Sequence, residues 1–84
     1  MLKFTRHAKN NMRLYKITKH DIQTVIDNPE IKIKEKDKVI AISKIKNKFH
    51  NLPLKVVYKI ENSLNIIITA YPLKKPFKKG SAAK

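Results

Sequence analysis

Apolar residues concentrate between Leu54 and Pro72, where two runs rich in β-branched and aromatic side chains, Leu54 to Ile60 and Leu64 to Tyr71, flank the polar break Glu61-Asn62-Ser63. That pattern predicts an antiparallel hairpin. Within the second run, Ile66-Ile67-Ile68-Thr69-Ala70 is apolar on both faces, which predicts a central strand at least partly covered on both sides and ended by Pro72. Upstream, Ile31 to Glu35 alternates isoleucine with lysine and Val39 to Ile45 forms another strand-like run. Lys36-Asp37 is the predicted turn between them, although it lacks the Asn-Gly or Asp-Gly signal.

Before Ile31 the period changes. Phe4, Ala8, Met12 and Tyr15 follow helical spacing, and Thr5 offers a hydroxyl N-cap, so a helix is predicted over Arg6 to Tyr15. Asn11 falls near the centre of the apolar stripe with His7 one turn before it. Polar groups on a burying face need partners, so these two either bond each other or look into a cleft. Thr18 and Asp21 form a capping-box start for a second helix, whose stripe of Ile22, Val25 and Ile26 stops at Asn28-Pro29. Met1 to Phe4 alternates enough for a short strand or an extended lead-in.

The predicted fold is therefore α+β: two short N-terminal helices packed on one face of a four-stranded antiparallel sheet. One domain spans residues 1–73, and residues 74–84 form a basic tail in which Gly80-Ser81-Ala82-Ala83 reads as an appended linker.

Charge sharpens this picture. Among 84 residues, 20 Lys plus Arg stand against 6 Asp plus Glu, a formal net charge of +14. Such an excess self-repels unless a polyanion neutralises it, which points to nucleic acid or an acidic protein. No segment joins a lysine face to a long apolar helical face, and no run approaches the roughly 18 apolar residues of a membrane span. A cytoplasmic location away from membranes is expected. Cysteine is absent, which excludes disulfide and thiolate chemistry.

Lys32, Lys34, Lys55 and Lys59 alternate with apolar residues, and Lys44, Lys46 and Lys48 extend the second strand into its loop. Period-2 alternation predicts that helices cover the apolar face while these lysines crowd the other. Each taken singly reads as a solvated lysine on an open sheet. Taken together, with so few acids, they favour binding of a polyanion such as RNA.

The catalytic repertoire is narrow. The six acids are too scattered for paired-carboxylate work, no His/Cys/Asp/Glu spacing suggests a metal site, and the single glycine, Gly80, cannot build a phosphate loop. Neither a metal nor a cofactor is expected. An enzyme built from this chain would have to use His, Tyr, Lys and Arg, which suits metal-independent RNA cleavage: a base takes the ribose 2′-OH proton, cations stabilise the phosphate, and an acid protonates the leaving oxygen. His20 lies opposite Ile22 and Ile26 and His50 sits in a loop, so both read as surface residues. His7 is the candidate for proton transfer, or else a core-edge histidine bonded to Asn11. Tyr71, followed by Lys74 and Lys75, either stacks on a base or covers the sheet edge.

Thr5-Arg6-His7-Ala8, Met12, Ile17-Thr18, Asp21-Ile22, Leu54-Lys55-Val56-Val57-Tyr58 and Ile68-Thr69-Ala70-Tyr71-Pro72 together resemble a little-characterised family of small bacterial and archaeal proteins. That family is grouped with BrnT and the RelE/ParE-like toxins of type II toxin-antitoxin systems. The resemblance covers Phe4 to Pro72. It implies a compact sheet with two helices, endoribonuclease activity often directed at mRNA on the ribosome, and neutralisation by a small antitoxin. Only His7-Ala8 and Thr69 to Tyr71 match the family's pattern position by position. The family usually has arginines where Asn11 and Tyr15 stand and a glycine where Lys16 stands, with Arg13 the nearest substitute. The roles that follow are His7 for proton transfer, Arg13 with Lys55 or Lys74 for phosphate, and Tyr71 for substrate positioning. The alternatives are a basic RNA-binding module without catalysis and a gyrase-inhibiting toxin.

Overall fold

Thr5 starts the first helix by local chemistry. Its hydroxyl accepts the Ala8 amide at 3.1 Å, leaving its own proton free for the Ile68 carbonyl at 2.9 Å. One threonine therefore caps the helix and ties it to the sheet. The computed structural model describes residues 2–45, 49 and 52–74. Its elements in order are β1 (Leu2–Phe4), α1 (Arg6–Tyr15), α2 (Lys19–Asp27), β2 (Ile31–Glu35), β3 (Lys38–Lys44), β4 (Pro53–Glu61) and β5 (Leu64–Pro72).

α2 begins with the capping box expected of Thr18 and Asp21, each side chain bonding the other's backbone amide at 3.0 Å. α1 ends at Lys16, which turns left-handed (φ 57°, ψ 45°) and directs its amide to the Met12 carbonyl. Glycine takes such a position without steric cost, whereas lysine carries a Cβ into it. The β4–β5 hairpin closes at Glu61 and Leu64 through Asn62 and Ser63, both at positive φ (50° and 64°). Two consecutive left-handed residues match the twist of the flanking strands, so the turn also fixes the register.

The sheet has five strands in the order β1-β5-β4-β3-β2, and it is mixed rather than a four-stranded antiparallel sheet. The N-terminal lead-in is a true strand that lies parallel to β5, with Phe4 beside Ile67. Two of the antiparallel pairs, β2–β3 and β4–β5, come from tight two-residue hairpins. β1 instead feeds both helices, and the chain re-enters the sheet at its opposite edge. β4 is the middle strand, and β5 is interior between β4 and β1.

One core joins the helices to one side of the sheet, with Ile22, Val25, Leu54, Val56 and Ile67 fully buried. α1 packs chiefly on β5 and touches β1, while α2 packs on β3 and β4. Between Val57 and Tyr58 the β4–β5 register shifts, so Val57 faces Thr69, Tyr58 faces Ile67, and Ile68 is the extra residue. This bulge lets Ile67 and Ala70, three residues apart, both enter the core. Ile66 and Ile68 stay half-buried, so the apolar run is fully covered on its core side and partly covered on the other. Burial raises the pKa of the Tyr58 hydroxyl above the usual tyrosine range. No helix among the described residues is long and apolar enough to cross a membrane.

Candidate nucleic-acid interface

Cross-strand register decides which side of the sheet each lysine takes, because directly paired residues point the same way. Lys32 pairs with Ala41 and Lys34 with Val39, and both partners are buried beneath the helices. These two lysines therefore stand on the helix side of the sheet, not on the open face predicted for them. The reason lies in β2's place at the edge: α2 packs over β3 and β4, so nothing requires the inner side of β2 to be apolar. Ile31 and Ile33 instead pair with Ile42 and Ile40 on the open side.

Lys55 and Lys59 do reach the open side, since they alternate with buried Leu54, Val56 and Tyr58. Lys55 pairs with Tyr71 and holds its ammonium 5.5 Å from the ring centroid, a cation–π contact that orients both groups. Lys59 pairs with Ile66 and reaches Glu61 at 3.0 Å. That ion pair is partly exposed and contributes little to stability. Lys44 follows buried Ser43 and is exposed on the open side. Lys38 joins it there by alternation with Val39, as does Lys3 by pairing with Ile66; neither had been singled out from the sequence. Lys46, Lys75, Lys48 and His50 lie outside the described residues.

Asn11 occupies its apolar stripe for a structural reason. β1 pairs only with Asn65 to Ile67, so farther along the same edge of β5 no strand among the described residues donates to its carbonyls. Thr5 takes the Ile68 carbonyl, and Asn11 Nδ2 donates to the Ala70 carbonyl at 3.2 Å and to Thr69 Oγ1 at 3.1 Å. The polar side chains of α1 thus replace a missing strand. Asn11→Ala is expected to cost about 1–3 kcal/mol by stranding the Ala70 carbonyl. Urea denaturation checks this, and an unchanged midpoint would mean that water serves the carbonyl equally well.

His7 lies one turn before Asn11 on the same flank of α1, is exposed, and has no side-chain partner among the described residues. The His7–Asn11 bond is therefore not formed. Through Asn11 this flank meets Thr69, which shares the open side with Val57, and two residues farther on stands Tyr71. Asn11, Thr69, Tyr71 and Lys55 form one seam along β5, and His7 stands one helical turn before its Asn11 end. Arg13 is not part of it. Two residues past Asn11 is about 200° around the helix, so Arg13 faces away, exposed in the last turn.

Beyond the seam, where α1 and β5 both end, lies a cleft of about 530 Å³. Tyr15, Phe49, Pro72 and Leu73 give it apolar walls, and Lys16 and Lys74 line it as well. Lys74 is thus brought to Lys16 rather than to His7. The cleft escaped the sequence reading because its residues come from three separate segments and share no period. Among the described residues, no three His, Cys, Asp or Glu side chains gather into a metal-binding group.

No curated protein and no solved structure matches the sequence. A family model does match, from Phe4 through Pro72, the span that holds both helices, nearly all of the sheet and the whole seam. The chain belongs to the family described as Domain of unknown function (DUF4258).

Proposed function

We propose that the protein binds RNA across the open side of its sheet and cleaves it without a metal, as a toxin-like endoribonuclease restrained by a small antitoxin. One observation carries this reading: in a chain of net charge +14, Lys38, Lys44, Lys55 and Lys59 occupy the side of the sheet that neither α1 nor α2 covers, and His7 on α1 is exposed. Phosphates neutralise these ammonium groups and release their own counterions. His7 takes the proton of a ribose 2′-OH, and the oxygen attacks the adjacent phosphorus to form a cyclic phosphate. Lys55 offsets charge on the phosphate oxygens, and the 5′-oxygen leaves with a proton from the Tyr71 hydroxyl. Arg13 has no part in this step. The antitoxin follows from the resemblance to RelE/ParE-like toxins, and mRNA on the ribosome is the substrate that the same resemblance suggests.

A second reading, an RNA-binding module without catalysis, draws on the position of Arg13. With that guanidinium turned away, the seam lacks the strongest phosphate-clamping side chain. Incubation of structured and single-stranded RNA with the protein in EDTA separates the two, because only the enzyme shortens RNA there.

Binding itself is expected to be steeply salt-dependent. Four phosphate contacts on a single strand correspond to a slope of about −2.8 in log affinity against log salt, or roughly 50-fold weaker binding between 50 and 200 mM. Lys55→Gln with Lys59→Gln should flatten that slope by about 1.4, while Lys32→Gln with Lys34→Gln should leave it nearly unchanged. Equal effects of the two pairs would show that RNA does not choose the open side.

A further inference from the structure

We infer that the cleft between the ends of α1 and β5 is a nucleobase subsite that holds one unstacked base of the RNA. This rests on the RNA-binding reading and adds to it a place where a base, rather than a phosphate, is engaged. Three observations converge. The cleft's volume of about 530 Å³ falls within the range of small-molecule sites and leaves ample room for a base with its ribose. Its walls are Tyr15, Phe49, Pro72 and Leu73, and Tyr15 is 41% exposed, which leaves ring surface for stacking. Two ammonium groups, Lys16 and Lys74, belong to the same lining, so an anionic group attached to the occupant is matched in charge.

The backbone at Lys16 is the independent sign. Its left-handed conformation (φ 57°, ψ 45°) ends α1, a position that glycine fills without steric cost. Strain kept at a residue that lines a cleft points to a use for its side chain. A nucleotide supplies what this arrangement takes: a flat apolar ring for Tyr15, and a phosphate for Lys16. The cleft continues the line of the seam, since Pro72 directly follows Tyr71. A strand laid along β5 from His7 would bring a neighbouring base to its mouth.

Lys16→Gly separates the two roles of this residue. The variant is expected to melt at the same or a higher temperature than the parent, yet to bind a short single-stranded RNA about fivefold more weakly, with its salt slope reduced by about 0.7. Tyr15→Ala, at a half-exposed site, should weaken the same RNA about tenfold. With the parent protein, an abasic residue walked through that RNA should reproduce this loss at one position, and Tyr15→Ala should add nothing further there. If both variants bind the intact RNA as the parent does while Lys55→Gln with Lys59→Gln weakens it, the subsite is overturned and the RNA reading stands. If no RNA is bound by the parent, both fall together.

Discussion

Ile67→Ala is expected to remove about 2–5 kcal/mol of stability, most of what a domain of this size possesses. Ile67 is wholly excluded from solvent, pairs with Tyr58 on one side and Phe4 on the other, and lies next to the bulged Ile68. Its carbonyl receives the Thr5 amide, which fixes the start of α1. A methyl-sized remnant would leave a cavity where strand pairing, bulge and helix cap meet, and none of these three can shift to fill it without breaking hydrogen bonds. Urea denaturation monitored by circular dichroism gives the measurement. Ile66→Ala, one residue earlier on the open side, supplies the control and should cost under about 1 kcal/mol. Comparable losses for the two would mean that the core does not lie where the register puts it.

The helices were legible in the sequence because their ends are written in local chemistry. Thr5 before Arg6, and Thr18 three residues before Asp21, bond within one turn, so no knowledge of the sheet is needed to place them. The hairpins were equally local, and the polar breaks at Lys36-Asp37 and Asn62-Ser63 became the turns. Sidedness was another matter. Alternation in Ile31 to Glu35 says that Lys32 and Lys34 share a face, but which face follows from pairing with β3 and from how far α2 reaches. Three residues of β1 carry too little pattern to announce a parallel partner 63 positions away. Asn11 looked misplaced on an apolar stripe because the carbonyl that it serves belongs to a strand edge far along the chain. The lysine face was thus half legible: Lys55 and Lys59 were placed correctly, whereas the cleft with Lys16 and Lys74 exists only once α1 and β5 end side by side.

His7→Ala is expected to lower metal-free RNA cleavage by about 10²- to 10⁴-fold, the usual contribution of a positioned proton-transfer group. RNA affinity should change by less than about twofold, since the lysines of the open side carry binding and His7 contributes no charge that they do not exceed. Stability should hardly move, because the imidazole is exposed and bonds nothing that the fold needs. This split between cleavage and binding is what distinguishes a group acting on the reacting atoms from one that shapes the surface. Arg13→Ala provides the contrast on the same helix: facing away from the seam, it should cost less than about threefold in cleavage. Were Arg13→Ala to abolish cleavage while His7→Ala left it intact, the reacting phosphate would have to lie on the opposite flank of α1. Neither variant affecting RNA that the protein demonstrably binds, and no shortening of that RNA in EDTA, would leave the lysines as the working part of the molecule.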